Sequence, residues 1–341
     1  MTISRRRRSG SCAVALGGWC FGLIAFLALA RSAAAETIEL RYGAAFSAAE
    51  SVYSLPVLVA DREQLFAREG VRIRNIMVPG GGDKMIAALG DGTADLAHVA
   101  TAFLVSADLA GADAVAIAAE FDNPIYSLIA KPEIATFADL KGRVIGLADE
   151  SGTVAYATRR LLALNGIRGA DFQVKIVSGT PARIDCLMRS LCDAVPLGQP
   201  QDFVAMDRGF RLLGRTNDAV PAFLYTVTAV RRSWAQSHKD AVVRYVRALS
   251  AAFQFIRDPA HRSEVVTLLA QAAGTSDTSA RHTLALYLDP DRQVLPLRGE
   301  LDLAGLKQVI AFMAEARLIA LPLPLPERFV DLQYLRAAAI E

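Results

Sequence analysis

What most restricts the fold of this chain is a repeat inside it: residues 81–97 and 179–195 align at a constant offset of 98 residues. Gly81 matches Gly179, Ile86 matches Ile184, Leu89 matches Leu187 and Asp95 matches Asp193. Each copy reads as a glycine turn after a strand, a short helix, and a second strand entered at the aspartate. That is part of an open α/β sheet, and two copies predict two similar lobes. Ligands of open α/β sheets sit outside the carboxyl ends of the strands. Twin lobes therefore bring two sets of strand-end loops face to face around a small molecule.

The amino end carries a different message. Arg5, Arg6, Arg7 and Arg8 precede an apolar run over residues 12–30, and Ala33, Ala34 and Ala35 stand before Glu36. This is the pattern of a secretory signal peptide, with cleavage expected after Ala35. A membrane anchor is the rival reading, because the run approaches spanning length; the small-residue site favours removal. The first 35 residues hold five arginines and no acid, so removing them takes the formal charge from +2 to −3 over the remaining 306 residues. That remainder has no basic tract and offers no footprint for nucleic acid. Its length exceeds what one core fills, which again favours two lobes. Of the four cysteines only Cys186 and Cys192 lie beyond residue 35. In an oxidising compartment they form either a disulfide or two buried thiols, and a spacing of six does not choose between them.

Along the chain, residues 38–43 alternate as a strand, Pro56 opens a helix running to about residue 68 with Gly70 as its stop, and residues 71–78 give the next strand. A helix that Asp83 can cap follows Gly80, Gly81 and Gly82, and strands at 96–100 and 115–119 complete one set. Residues 125–130 lead into a second set. It comprises a helix-and-strand unit at 137–147, a helix after residues 151–153, a strand at 172–177, the second repeat and a strand at 211–213. The extended segment 223–230 returns to the first set. Crossings near 122–128 and 216–224 make a two-stranded hinge. Residues 36–124 and 223–341 are expected to form lobe 1, and 125–222 lobe 2. Beyond residue 240 the pattern is helical, packing on lobe 1, apart from the Pro-Leu alternation at 321–326, which reads as an extended connector.

Strand-end position nominates the site. In the first lobe it selects Phe46, Ser47, Glu50, Tyr53, Gly81, Gly82, Thr101, Phe121 and Asp122; in the second, Ser151, Gly152, Thr153, Thr180, Gln199 and Tyr225. The glycine run and the Ser151-Gly152-Thr153 turn open helices whose free amides and dipole suit an anion. Each nomination has a plainer rival: tight turns for the glycines, core packing for the aromatics, capping for the polar residues. Glu50 and Asp122 bear on solute sign, since a carboxylate facing the cleft favours an amine or a neutral heterocycle over a sulfonate. Lys84 follows the glycines, but Met85 stands where a phosphate loop needs Ser or Thr, so nucleotide binding is not expected. His98, His238, His261 and His282 lack metal-ligand spacing, and His98 within an apolar strand reads as a core residue. No G-x-S-x-G elbow occurs. Neither catalysis nor a cofactor or metal is expected.

Taken together, the residue 56–70 helix, Ala87 to Asp95 (AALGDGTAD), Phe137 to Arg143 (FADLKGR), Pro181-Ala182-Arg183, and Ala316 to Ile319 (ARLI) before a proline-rich bend and Asp331 resemble a known family. It is that of the exported solute-binding proteins of ABC importers, in the branch of nitrate, sulfonate, taurine and thiamine-precursor binders. The resemblance covers nearly all of residues 38–338. It implies the type 2 periplasmic-binding-protein fold: α/β, two lobes, each an open, mostly parallel sheet flanked by helices. It implies a periplasmic, monomeric protein that clamps a small organic solute and hands it to an ABC permease in the inner membrane. The solute would be a sulfonate, a nitrate-like anion or a thiamine-precursor-like heterocycle. A sensor subunit for a membrane receptor, or an enzyme related to thiamine-pyrimidine synthases, is the alternative. Two departures concern local turns: Ser190-Leu191-Cys192 replaces the family's usual glycine turn, and Gln64 stands where a glycine often precedes the Leu-Phe pair.

Overall fold

Among the described residues, ten strands build two sheets with the same wiring. In the first, β1 (Ile38–Ala44), β2 (Val71–Met77), β3 (Leu96–Ala100) and β4 (Ala114–Phe121) run in one direction. The second contains β5 (Ser127–Ala130), β6 (Val144–Leu147), β7 (Gln173–Ile176), β8 (Ala194–Leu197) and β9 (Arg211–Arg215). A late strand, β10 (Thr226–Arg231), enters the first sheet between β3 and β4, antiparallel to both. The orders are β2-β1-β3-β10-β4 and β7-β6-β8-β5-β9. Each sheet thus has one antiparallel strand in its fourth position, and that strand is the one the chain reaches on crossing over from the other sheet. The two crossings run from β4 to β5 and from β9 to β10. The computed structural model describes residues 37–44, 52–79, 82–150, 152–220 and 222–340. The signal-peptide reading and the candidates Phe46, Ser47, Glu50, Gly81 and Ser151 lie outside the described residues.

The sequence repeat is the helix that precedes the central strand of each sheet. Helices Gly82–Gly90 and Thr180–Met188 start 98 residues apart, as do β3 and β8. The paired aspartates do the same work. Asp95 accepts from the Arg41 amide at 2.9 Å while its own amide donates to the Arg41 carbonyl. Asp193 accepts from the Val144 amide at 2.9 Å and donates to the Val144 carbonyl. Each aspartate thereby fixes the register of the neighbouring parallel strand through a charge-assisted bond.

All eight residues of β4 are buried although it is an edge strand. The C-terminal part of the chain covers it: the amides of Ala119 and Asp122 donate to the carbonyls of Gly299 and Val294, and Asp331 donates to Ala116. An edge closed in this way presents no free ladder to other chains. The long helix Lys239–Arg257 lies against the helices of the first sheet, where Phe66 and Tyr245 stack at 5.5 Å. Among the described residues no helix is long and apolar enough to cross a membrane.

Three local details differ from the expectation. The single helix over 56–68 is broken into Leu55–Arg62 and Leu65–Arg68 by Gln64, which adopts φ 56°. That left-handed position explains why a glycine is natural there. Ser190 likewise takes φ 58°, matching Gly92 at φ 76° in the first repeat. Asp83 sits inside the first turn of helix Gly82–Gly90 rather than at its cap, because the helix begins one residue earlier.

Candidate functional site

A cavity of about 530 Å³ opens where the two sets of strand ends meet. Tyr53 reaches it from the turn after β1, Thr180 from the helix after β7, and Gln199 from the segment after β8. Tyr126 and Tyr225 come from just ahead of the antiparallel strands β5 and β10, whose starts lie at the carboxyl ends of their parallel neighbours. A cavity of about 590 Å³ lies elsewhere, against helices Thr153–Leu164 and Leu303–Glu315. It is drawn mostly from helix flanks, so the strand-end cavity is the better candidate for α/β chemistry.

The wall is aromatic. The Tyr53 ring lies 6.2 Å from that of Tyr126 and 6.3 Å from that of Tyr225, and the hydroxyls of Tyr126 and Tyr225 are 3.2 Å apart. Burial pushes the pKa values of Tyr53 and Tyr225 well up, so both remain neutral hydroxyls at any physiological pH. Gly198 packs closely under this wall: a Cβ there would stand 3.1 Å from the Tyr53 hydroxyl and 3.4 Å from the Tyr126 ring, tighter than ordinary contact.

The charge in this cavity is Arg183, in the first turn of helix Thr180–Met188 and only 3% exposed. Its Nε donates to the Pro196 carbonyl at 2.7 Å, its Nη2 to the Thr180 hydroxyl at 3.0 Å and its Nη1 to the Val177 carbonyl at 3.4 Å. These partners are neutral, and Arg183 makes no ion pair among the described residues. Burial pulls its pKa down, opposed by the tyrosine hydroxyls and Asp149. A guanidinium nevertheless stays protonated in a protein. A buried cation held by neutral groups alone leaves a positive field that an anion would complete.

His98 also lines the cavity, with Nδ1 2.6 Å from Glu120. Glu120 is wholly buried and accepts from Tyr42 at 3.0 Å and from Thr228 at 2.6 Å. His98 is therefore a cavity residue anchored on a core carboxylate rather than a core residue alone. Gln199 is tied at both ends: its Nε2 donates to Asp202 at 3.0 Å, and its Oε1 accepts from Tyr287 at 3.4 Å.

Of the described candidates, Tyr53, Thr180, Gln199 and Tyr225 meet in this cavity. The others lie elsewhere. Gly82 packs against Phe103, whose ring would stand 2.2 Å from an added Cβ. Thr101 holds the Tyr225 carbonyl through its amide at 2.9 Å. Phe121 is buried behind the wall, its ring 5.3 Å from that of Tyr53. Gly152 caps helix Thr153–Leu164 with its amide on Asp149, while Val154, not Thr153, faces the cavity. Asp122 opens into a separate cavity. Strand-end reasoning missed Arg183, Tyr126 and His98. The signal for Arg183 was available: the internal alignment puts it opposite buried Met85, an unusual exchange for a solvated charge. Cys186 and Cys192 are joined, Sγ to Sγ at 2.07 Å.

The NMT1/THI5-like family model matches residues 51–261, and the chain belongs to that family. No curated protein matches the sequence. Among solved structures, the alkanesulfonate-binding protein SsuA of Xanthomonas axonopodis pv. citri, bound to MOPS, has a TM-score of 0.67 at 22% identity, covering 86% of this chain and 99% of that one. The aliphatic sulphonate-binding protein SsuA of Escherichia coli gives 0.67 at 21%, over 87% and 99%. The nitrate-binding protein NrtA of Synechocystis PCC 6803 gives 0.69 at 14%, over 89% and 88%. At these identities the likeness establishes the fold, the two-lobed type 2 periplasmic-binding-protein architecture.

Proposed function

We propose that the protein is the solute-binding component of an ABC-type importer, exported to the periplasm with cleavage after Ala35, and that its solute is a small organic anion. Residues 36–124 and 223–341 act as one lobe, 125–222 as the other, and the solute sits in the cavity between the two sheets. The observation that carries the anion reading is the buried guanidinium of Arg183, bonded only to neutral groups. Sulfonates and nitrate, named for the structural neighbours, are compatible with that charge, and the tyrosine wall favours a solute with an apolar body. A cationic heterocycle is disfavoured. The reading needs no catalytic group: binding does its work by favouring the closed arrangement through contacts made to both lobes at once, after which the solute passes to a membrane permease.

The test is calorimetric titration of the mature chain with nitrate, short alkanesulfonates, aromatic sulfonates, carboxylates and aminopyrimidines. One anion class should bind saturably, one per chain, with compaction in small-angle scattering. Selective binding of an aminopyrimidine, with no anion competing, would overturn the anion reading.

A further inference from the structure

The candidate that left the main cavity points to a second site. Asp122 follows β4 directly and opens into a cavity of about 500 Å³ beneath the loop that joins helices Asp277–Leu288 and Leu303–Glu315. Its amide is used, donating to Val294 at 2.9 Å, but its Oδ1 is closed to solvent and accepts no hydrogen bond. Across the same cavity, Arg257 ends helix Lys239–Arg257 and spends Nη2 on the carbonyls of Leu295 and Pro296 at 2.6 and 3.0 Å. Its Nε is buried and also without a partner. No ion pair joins the two residues. The Asp122 carboxyl and the Arg257 guanidinium thus border one cavity, and each carries a buried atom that lacks a partner.

Glu300 and Asp302 stand on the same cavity wall, so carboxylates outnumber the single guanidinium. Burial, then the repulsion of Asp302 and Glu300, holds the Asp122 pKa well above the ordinary carboxylate value, against the pull of Arg257. A positive group placed at Asp122 would relieve both costs. Leu295, Leu301 and Phe223 give the wall an apolar part, beside the polar side chains of Asn123, Asp289 and Gln293.

We infer that this cavity is a second binding site, for a small aliphatic ammonium compound whose nitrogen donates to the Asp122 carboxyl and whose hydroxyl or carbonyl oxygen accepts from the Arg257 guanidinium. The site stands apart from the solute cavity. Tyr287 separates them, its ring on the second cavity and its hydroxyl on Gln199 of the first.

The experiment is titration of the whole mature chain, followed by NMR and calorimetry, with ethanolamine, propylamine and propionate as probes. Ethanolamine should bind saturably at one site and propylamine more weakly. Propionate should not perturb the signals of this cavity. Asp122→Asn, a neutral isostere that leaves the cavity shape intact, should weaken ethanolamine at least about tenfold. Arg257→Gln should erase the preference for ethanolamine over propylamine, and Arg183→Met, in the other cavity, should change neither. Non-saturable ethanolamine binding, or equal binding by Asp122→Asn, would overturn the proposal. So would loss of ethanolamine binding in Arg183→Met, since that would put the amine in the solute cavity. The anion titration above reports on the solute cavity independently, so either reading can fail alone.

Discussion

The two repeats share one backbone design and differ at the positions that give each its use. Both run helix, turn, aspartate and central strand, and both aspartates lock a parallel neighbour. Where the first has Ala88 and Ala94, the second has Cys186 and Cys192, joined by a disulfide. In both, an amide closes the same turn: Ala94 to Ala88 at 2.9 Å, Cys192 to Cys186 at 3.1 Å. Glycine on the neighbouring strand makes room in both, since a Cβ at Gly43 would meet Ala94 at 3.2 Å and one at Gly146 would meet the Cys192 sulfur at 2.7 Å. Where the first has Met85, 1% exposed in the core, the second has Arg183, 3% exposed on the cavity. Equal burial with opposite polarity puts a charge on the cavity at the position where the first repeat has a packing residue, within the same backbone frame.

Copying the first repeat into the second is therefore the sharpest way to break the comparison. Arg183→Met should abolish tight anion binding, by about a hundredfold or more, since a buried charged hydrogen-bond donor is worth about 1.5–3 kcal/mol per bond. The fold should survive, because methionine already occupies the equivalent position in the first sheet. Calorimetry with a circular-dichroism melt separates the two outcomes, and a variant that still binds the anion would remove Arg183 from the site.

Replacing Cys186 and Cys192 together by alanine, again the residues of the first repeat, should lower stability by about 2 kcal/mol, as expected for closing so short a loop. Urea titration measures it, and reductant should reproduce the loss in the unmutated chain.

Asp193→Asn sharpens the comparison further. Burial works against the Asp193 carboxylate, but the bonds from Lys131 and the Val144 amide win and hold its pKa below the ordinary value. A depressed folded pKa contributes stability that is present above the unfolded value and lost as pH falls through the folded one. The variant should cost about 1–2 kcal/mol at neutral pH, and the difference should vanish in acid. A difference unchanged across that range would mean the ionised carboxylate is not what holds the strand.

The smallest change runs the other way. Ser190→Gly restores the residue found at Gly92 and relieves a left-handed backbone, so it should stabilise the chain by about 0.5–1 kcal/mol. Thermal melts with the disulfide intact measure it.

The frame was legible because it is local. The repeat and the strand-ending glycines depend on near neighbours, the aspartates showed as the repeat's matching ends although the strands they hold lie 54 and 49 residues away, and the departures at Gln64 and Ser190 marked two turns where a side chain takes a glycine conformation. Placement of site residues was less legible, for two physical reasons. Consecutive strand residues point to opposite faces, so Phe121 and Asp122 share a strand end yet serve different surroundings, one behind the tyrosine wall and one in the second cavity. Arg183 reads locally as a solvated charge in a helix's first turn; its burial depends on the carbonyls of Val177 and Pro196, which only the folded sheet brings to it.

The central claim is that two facing lobes hold an anion at Arg183. Native mass spectrometry of the mature chain, purified without denaturant, followed by identification of any released molecule, addresses it most directly. The account predicts one small anion per chain, missing from Arg183→Met. A neutral or cationic molecule in the unmutated chain, or equal retention of the anion by the variant, would contradict it.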